Sequence, residues 1–346
     1  MPEGLVSSQI RDDLVIDQLQ VLSVAEGFFQ SSVLFALLRS HVIEHIGEGA
    51  ASPTELAGKL GARPETLARL LNAGVALKIL ESEDGQAFRV AGPFRSVLLL
   101  SAGVYYLGDW LRNLEYFHDV LAHLDEAVRT SSPVAAFVED ARGQRAHTRQ
   151  FTLAMHNYAL LRGRELVRFL DTTGCHTLLD VGAGPGTYGF HLAEANPALQ
   201  LYLVDLPEVL EVAKDVATSF RINQPVTYLG LDLSVDNIEG AFDIVLVSNT
   251  LHMLGEAESR RLLSRLYPLV SQGGSLVVQA QYLDDNRLGP RWPALLDLIQ
   301  LCITDSGRNH TVGETKAWLE ESGFTDVEYV PMTLINTNSL LRAWKR

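Results

Sequence analysis

Residues 177–186 form an apolar run, Thr-Leu-Leu-Asp-Val, that passes directly into Gly-Ala-Gly-Pro-Gly. An amphipathic stretch follows from about Thr187 to Ala195, so the segment reads as strand, glycine turn and helix, the local context of a cofactor-binding crossover. Glycine is needed in such a turn because the backbone must reverse sharply and come close to a ligand, which a Cβ would obstruct. The downstream texture agrees. Short apolar runs at 177–181, 200–204, 226–229, 242–247 and 274–279 alternate with helical stretches, the pattern of a parallel sheet with crossover helices. The C-terminal part is therefore expected to be an α/β, Rossmann-like domain.

The spacing of the glycines separates two cofactor classes. A dinucleotide loop reads G-x-G-x-x-G, whereas Gly182, Gly184 and Gly186 give G-x-G-x-G, with Thr187 where the third dinucleotide glycine would fall. Asp180, two residues before the first glycine, puts a carboxylate beside the loop. S-adenosylmethionine carries an ammonium group and no phosphate, so a carboxylate there suits it better than a pyrophosphate. The second strand ends at Asp205, followed by Leu206 and Pro207, and an acid at that position accepts hydrogen bonds from ribose hydroxyls. The third ends Gly230-Leu231-Asp232-Leu233, a carboxylate for an adenine amino group beside an apolar side chain for the ring face. Each aspartate alone would more often be a helix cap or a solvated loop residue; in this order they point to one cofactor.

The N-terminal part has a different texture. Apolar residues from Val21 to Ile46 recur at helical spacing, with Phe28, Phe29, Val33, Leu34, Leu37 and Leu38 on a wide face, as in a core or dimer helix. Ser52-Pro53-Thr54-Glu55 reads as a capping box that opens a short helix over 54–60, stopped by Gly61. Pro64 opens another, and Asp84-Gly85 between Ile79-Leu80 and Phe88-Arg89-Val90 signals a hairpin. Helix, turn, helix and hairpin make a winged-helix pattern, used either to read DNA or only to pack. Residues 100–170 read as mainly helical, with a break at Ser131-Ser132-Pro133. The expected domains are a mainly α unit over 1–105 and a cofactor-binding unit over 106–346, in which 106–170 form a helical bridge and substrate wall.

Charge decides between the two uses of the winged helix. The formal net charge of -14 disfavours a polyphosphate partner, and the second winged helix carries only Arg69 within it and Arg63 at its edge, so no nucleic-acid partner is expected. Cys175 and Cys302 form neither a disulfide framework nor a Cys-x-x-Cys metal pair, which suits a reducing cytoplasm. The uncharged run from Ser96 to Gly108 falls short of the roughly 18 apolar residues of a membrane span. The opening Met-Pro-Glu-Gly, followed by Asp12 and Asp13, reads as neither a signal nor a transit peptide. No membrane partner and no export are expected.

Taken together, Leu56-Ala57-Gly58-Lys59-Leu60-Gly61, Asp180-Val181-Gly182-Ala183-Gly184, Asp205-Leu206-Pro207, Gly230-Leu231-Asp232-Leu233, Ser248-Asn249-Thr250-Leu251-His252, Gly273-Gly274 and Ser322-Gly323-Phe324 extend along nearly the whole chain. As a set they resemble the two-domain small-molecule O-methyltransferases, the plant caffeic-acid-type enzymes and the bacterial polyketide, carotenoid and hydroxyindole enzymes. The resemblance implies an N-terminal winged-helix dimerisation domain, a homodimer, S-adenosyl-L-methionine as cofactor and a small-molecule acceptor of secondary metabolism. It implies that Asp180, Gly182, Gly184, Asp205, Leu206, Asp232, Leu233 and Ser248 hold the cofactor, and that Met155 lies near the transferred methyl group.

The catalytic segment departs from the family. Its members use a Leu-His-Asp-Trp run whose histidine takes the acceptor proton; Leu251-His252-Met253-Leu254-Gly255-Glu256 keeps the histidine and loses the Asp-Trp. Two glutamates that orient this histidine in plant members align with Ala280 and Asn309. His252 is expected as general base, with His310 as replacement partner, substrate contact or metal ligand. Trp292, Leu295, Leu296, Leu298, Ile299 and Ile303 are spaced as one helix and are expected as a substrate wall, of which Trp292, Leu296 and Ile299 are the contacts chosen; core packing or a dimer interface would give the same stripe. The leading reading is O-methylation of a hydrophobic aromatic or polyketide-like hydroxyl, with no bound metal. Small-molecule C-methylation, metal-assisted through His252 and His310, and a family member that has abandoned methyl transfer are the alternatives.

Overall fold

The computed structural model describes residues 12–135, 145–332 and 338–346. The first four residues, on which the expected lack of an export signal rests, lie outside them. The chain divides into two compact units, one ending at Tyr106 and one beginning at Leu107.

In the first unit, helices α1 (Asp12–Ala25), α2 (Gly27–Arg39), α3 (Val42–Ile46), α4 (Pro53–Leu60) and α5 (Pro64–Ala76) precede a two-stranded hairpin, β1 (Leu80–Glu81) and β2 (Arg89–Val90), and α6 (Gly92–Leu98). The long helix expected over 21–46 is broken at Glu26 and again at Ser40-His41, where His41 takes a left-handed φ of 55°. The α4 capping box is present in both directions: Ser52 N–H donates to Glu55 Oε2 at 2.7 Å and Glu55 N–H donates to Ser52 Oγ at 3.2 Å. Phe35, Leu37, Leu38, Ile43, Leu56, Leu71, Leu80 and Phe88 form the buried interior. Ile16, Leu19, Val21, Leu22, Val24, Phe28 and Phe29 remain exposed in the single chain, Val24 at 86% and Phe29 at 60%. By length and composition the stretch Ile16–Arg39 would pass for a membrane span, a feature the uncharged-run criterion overlooked because Asp17 and Glu26 interrupt it.

The second unit opens with α7 (Gly108–Leu121), α8 (Leu124–Thr130) and α9 (Arg145–Phe169), then enters the sheet. Among the described residues its strands are β3 (Thr177–Val181), β4 (Gln200–Asp205), β5 (Val226–Gly230), β6 (Phe242–Ser248), β7 (Val270–Ala280), β8 (Thr325–Pro331) and β9 (Ser339–Trp344), in the order β5-β4-β3-β6-β7-β9-β8. The first five are mutually parallel, as the apolar runs implied, and β9 and β8 add antiparallel at one edge. The sequence reading missed both: β8 carries charged and exposed residues and shows no apolar alternation, and the short buried run of β9 is interrupted by Arg342.

Helices α10 (Thr187–Ala195), α11 (Pro207–Ala217), α12 (Glu256–Leu266), α13 (Arg291–Ile303) and α14 (Val312–Glu321) complete the unit. Alternation along β3 fills both faces of the sheet: Leu178 packs with Phe190, Leu201, Leu203 and Leu246, whereas Leu179 and Val181 pack with Val245, Val247, Leu263 and Trp318. Helices therefore cover the sheet on both sides, which is the Rossmann-like α/β architecture expected.

The glycine loop ends against this core. Gly186 has φ of 73°, and a Cβ there would lie 2.7 Å from the Phe190 ring and 2.8 Å from Leu203. Gly186→Ala combines a left-handed backbone with overpacking and should destabilise the protein by about 2–4 kcal/mol. Urea unfolding read by circular dichroism checks this, and a midpoint equal to that of the parent would contradict it.

Candidate active site

The carboxyl ends of β3, β4 and β6 meet where the strand order reverses, the place where open α/β sheets bind ligands. A cavity of about 330 Å³ opens there within the second unit. Of the residues selected from sequence, Met155, Asp180, Gly182, Gly184, Asp205, Leu233, Ser248, His252, Trp292 and Leu296 line it. Leu206, Asp232, Ile299 and His310 do not.

The loop floor is built by backbone. Gly182 and Ala183 N–H both donate to Val204 O, at 2.9 and 3.0 Å, and Gly184 N–H donates to Asp205 Oδ2 at 2.7 Å. Asp205 Oδ1 accepts from Leu206 N–H at 2.7 Å. Its carboxylate thus stitches two strand ends together, and Leu206 contributes through its amide rather than its side chain. A Cβ on Gly182 would lie 2.7 Å from Thr250 Oγ1, so this position is closed from behind; at Gly184 nothing lies within 4 Å of a Cβ, and the backbone presents a bare face. Burial raises the Asp205 carboxyl above its usual range, opposed by the two amides.

Asp180 is 1% exposed, and neither carboxylate oxygen completes a hydrogen bond of ordinary geometry. Burial pushes its pKa up to about 7; the nearby Gly189 amide pulls it down and the Asp205 charge pushes it further up. An unpartnered buried carboxylate is costly unless a cation completes it. Asp232, by contrast, is used locally: its Oδ1 accepts from Ser234 N–H at 2.9 Å and Ser234 Oγ at 2.6 Å, capping a turn beside the cavity-lining Leu233.

His252 lies on a 3₁₀ turn, Leu251–Met253, reached from β6 through Asn249, which takes a left-handed φ of 52°. The ring Nδ1 is buried with no partner, leaving Nε2 as the nitrogen able to meet a ligand. Burial, reinforced by His310, lowers the imidazole pKa to about 4, so the ring is neutral throughout the physiological range. Asn309 does not orient it: its Nδ2 donates to Pro293 O at 2.6 Å and its backbone N–H to Asp297 Oδ1 at 2.6 Å, tying the chain to α13.

His310 does not line the cavity; its Nε2 faces the backbone oxygens Leu251 O at 3.1 Å and Leu254 O at 3.2 Å, and its ring packs edge-on against Trp318 at 4.8 Å. Among the described residues no group of three or more His, Cys, Asp or Glu side chains is placed to hold a metal ion.

The wall on α13 is also revised. Trp292, Leu296, Gln300 and Ile303 face the cavity, one helical stripe, while Ile299 turns behind it to pack with Phe117, Val120 and Cys302. Gln300 was missed because a polar residue inside an apolar stripe carries no periodic signal of its own. The sequence reading placed a substrate wall within 106–170 without choosing its further contacts beside Met155, which are Trp110, Phe117, Phe151 and Tyr158, whose hydroxyl accepts from Gln281 Nε2 at 2.6 Å.

An open α/β sheet with a glycine turn, strand-end acids and an enclosed apolar chamber is the architecture of a class I methyltransferase. Residues 106–325 match the O-methyltransferase domain family and residues 22–94 match the O-methyltransferase dimerisation domain. The chain belongs to the S-adenosylmethionine-dependent O-methyltransferase family. It is 27% identical over 93% of its length to the 3-hydroxy-5-methyl-1-naphthoate 3-O-methyltransferase of Streptomyces sahachiroi, covering 94% of that protein. It is 28% identical over 89% of its length to the tetracenomycin polyketide synthesis 8-O-methyl transferase of Streptomyces glaucescens, covering 91% of it. Human N-acetylserotonin methyltransferase, solved in complex with S-adenosylmethionine, has the same fold, with a TM-score of 0.83 over 98% of this chain and 99% of that one at 22% identity.

The raised Asp180 pKa makes stability depend on pH. Below about pH 4 the carboxyl is protonated whether folded or unfolded; between about pH 4 and 7 only the folded state holds the proton, so stability falls as pH rises, and above pH 7 the penalty is constant. Asp180→Asn should therefore stabilise the ligand-free protein at pH 8 relative to pH 4, by up to about 4 kcal/mol. Denaturant unfolding of both proteins across this range checks it; a difference that stays level with pH would refute it.

Proposed function

We propose that the cavity binds S-adenosylmethionine against the glycine loop and directs its methyl group to a hydroxyl of a hydrophobic aromatic or polyketide-like acceptor. The observation that carries this reading is Asp180, a buried carboxylate that completes no hydrogen bond of ordinary geometry, at the mouth of a loop whose Gly184 face is bare. An ammonium group beside Asp180 would complete it and bring its pKa back down. The remaining lone pairs of Asp205 suit ribose hydroxyls, and Leu233 with Ser248 would bound the adenine end. Asp232 supports that end by holding the Leu233 turn. The cofactor, when bound, supplies an electrophilic methyl on a sulfonium sulfur.

The chain's own side chains do the rest. Trp110, Phe117, Phe151, Trp292, Leu296 and Met155 enclose the acceptor in apolar surface and exclude water, and holding acceptor oxygen and methyl carbon in line can supply about 7–11 kcal/mol of the barrier. His252 Nε2 takes the hydroxyl proton. An imidazole of pKa about 4 is a weak base for a free phenol, but the proton becomes strongly acidic as the oxygen gains its methyl group, so a neutral ring suffices late in the transfer. The similarity to the naphthoate and tetracenomycin enzymes, both named O-methyltransferases, supports the acceptor class and a hydroxyl as the methylated group.

The second part of the proposal is a homodimer formed through the first unit, active in the cytoplasm. The exposed apolar residues of α1 and α2, partly within the segment that matches the dimerisation domain, need a cover, and a second copy supplies one without a membrane.

His252→Ala should lower kcat by about hundredfold, the low end for general-base catalysis, and the acid limb of the parent's rate profile should lie near pH 4 rather than 6.5. Mass-spectrometric product assay with a panel of hydroxylated aromatics reads both; an unchanged rate in the variant removes the base role, and cofactor binding with no methylated product removes the methyl-transfer reading. Replacing Phe28 and Phe29 together by Asp should convert a dimer into monomers by light scattering after gel filtration, and a mass unaffected by the double substitution would contradict this interface.

A further inference from the structure

The segment from Thr304 to Thr311, between α13 and α14, wraps the turn that carries His252. A Cβ on Gly307 would lie 2.7 Å from His252 O and 2.9 Å from the Met253 carbonyl carbon, so this backbone is pressed against the turn. A Cβ on Gly255 would lie 2.9 Å from Ser306 Cβ. Ser306 Oγ donates to Glu258 Oε2 at 2.6 Å, and the same carboxylate accepts from Gly255 N–H at 3.0 Å.

At the end of the segment, His310 Nε2 lies 3.1 Å from Leu251 O and 3.2 Å from Leu254 O, the residues that bracket His252 and Met253, with Ser259 Oγ at 3.3 Å. Two carbonyl oxygens can only accept, so Nε2 carries the hydrogen. His310 is 4% exposed, backed by Trp318, and burial keeps it neutral. Among the described residues no hydrogen bond holds the His252 ring itself: its Nδ1 has no partner, Ala280 has no polar group to offer, and Asn309 gives its Nδ2 and backbone N–H to α13 while its Oδ1 is left unpaired. The direction of the ring is therefore set by the backbone of a three-residue turn, and that turn is fastened by His310.

We propose that His310 is the positioning residue of His252, fixing the direction of the base through the carbonyls on either side of it, where a carboxylate would otherwise fix it through the ring. The proposal rests on the base role given to His252. Asn309 extends the device. By binding Asp297 and Pro293 it ties this segment to the helix that supplies Trp292, Leu296 and Gln300, so the acceptor wall and the base share one support.

The test is a double-mutant cycle on the full-length enzyme with S-adenosylmethionine and any acceptor it methylates. His310→Leu should lower kcat by about ten- to hundredfold with the acceptor KM within about twofold. His310→Gln, whose amide nitrogen can occupy the Nε2 place, should recover most of that loss, and circular dichroism melting identifies any variant that fails to fold. In the His252→Ala background, His310→Leu should cost less than about twofold more, because the residue it positions is gone. Losses that multiply independently, or a Gln variant that folds yet is as slow as Leu, overturn the proposal while leaving the base role intact. A His252→Ala enzyme as fast as the parent overturns the base role and this proposal together.

Discussion

The Asp205 carboxylate is the contact on which the functional geometry depends. One oxygen holds Gly184 N–H and the other holds Leu206 N–H, so a single side chain joins the glycine turn after β3 to the start of α11 after β4. Gly182 and Ala183 complete the seam by donating to Val204 O. Backbone donors at the rim of an open sheet would otherwise be solvated or mobile. Satisfied this way, they hold the loop in a left-handed conformation that leaves Gly184 bare toward the cavity and leaves Asp180 behind it with no partner of its own.

That arrangement sets apart the two ends of the chamber. At the loop end, the buried Asp180 and the partly buried Asp205 both have carboxyl pKa values raised by desolvation, Asp205 less freely because two amides oppose the rise. At the other end, aromatic and aliphatic side chains from α7, α9 and α13 surround a neutral histidine, where desolvation lowers the pKa. The same physical cause, burial, therefore acts in opposite directions on an acid and on a base a short way apart. One cavity thereby offers a charged end and a neutral apolar end.

The histidine shows how a local departure in sequence is absorbed by structure. Loss of the Asp-Trp pair and of both aligned glutamates leaves the His252 ring unsupported from the side. The turn under it is held instead by the Gly307 backbone and the His310 imidazole. From sequence His310 could be a replacement partner, a substrate contact or a metal ligand; its burial among carbonyl oxygens and Trp318 puts it behind the cavity-lining turn.

Much was legible without coordinates wherever the determinant is local. The glycine spacing, the reciprocal Ser52–Glu55 cap, the Asp84-Gly85 hairpin and the parallel strands depend on backbone conformation or on apolar runs a few residues long, and the structure contains each of them. The N-terminal helical break at Glu26 and the edge strand β8 escaped because an exposed edge strand needs no alternation and a kink needs no proline; β9, buried between β7 and β8, escaped because its apolar run is short and interrupted by Arg342. Which aspartate is engaged and which is left unpaired, whether position 299 or 300 faces the acceptor, and what His310 touches could not be read at all. These are settled by contacts between segments far apart in the chain, such as Asp205 with Gly184 and His310 with Leu251. The sequence by itself determined the kind of sheet and the donor it serves; only the tertiary structure decided how the turn carrying His252 is held, because direction in space is a property of packed neighbours and not of residue type.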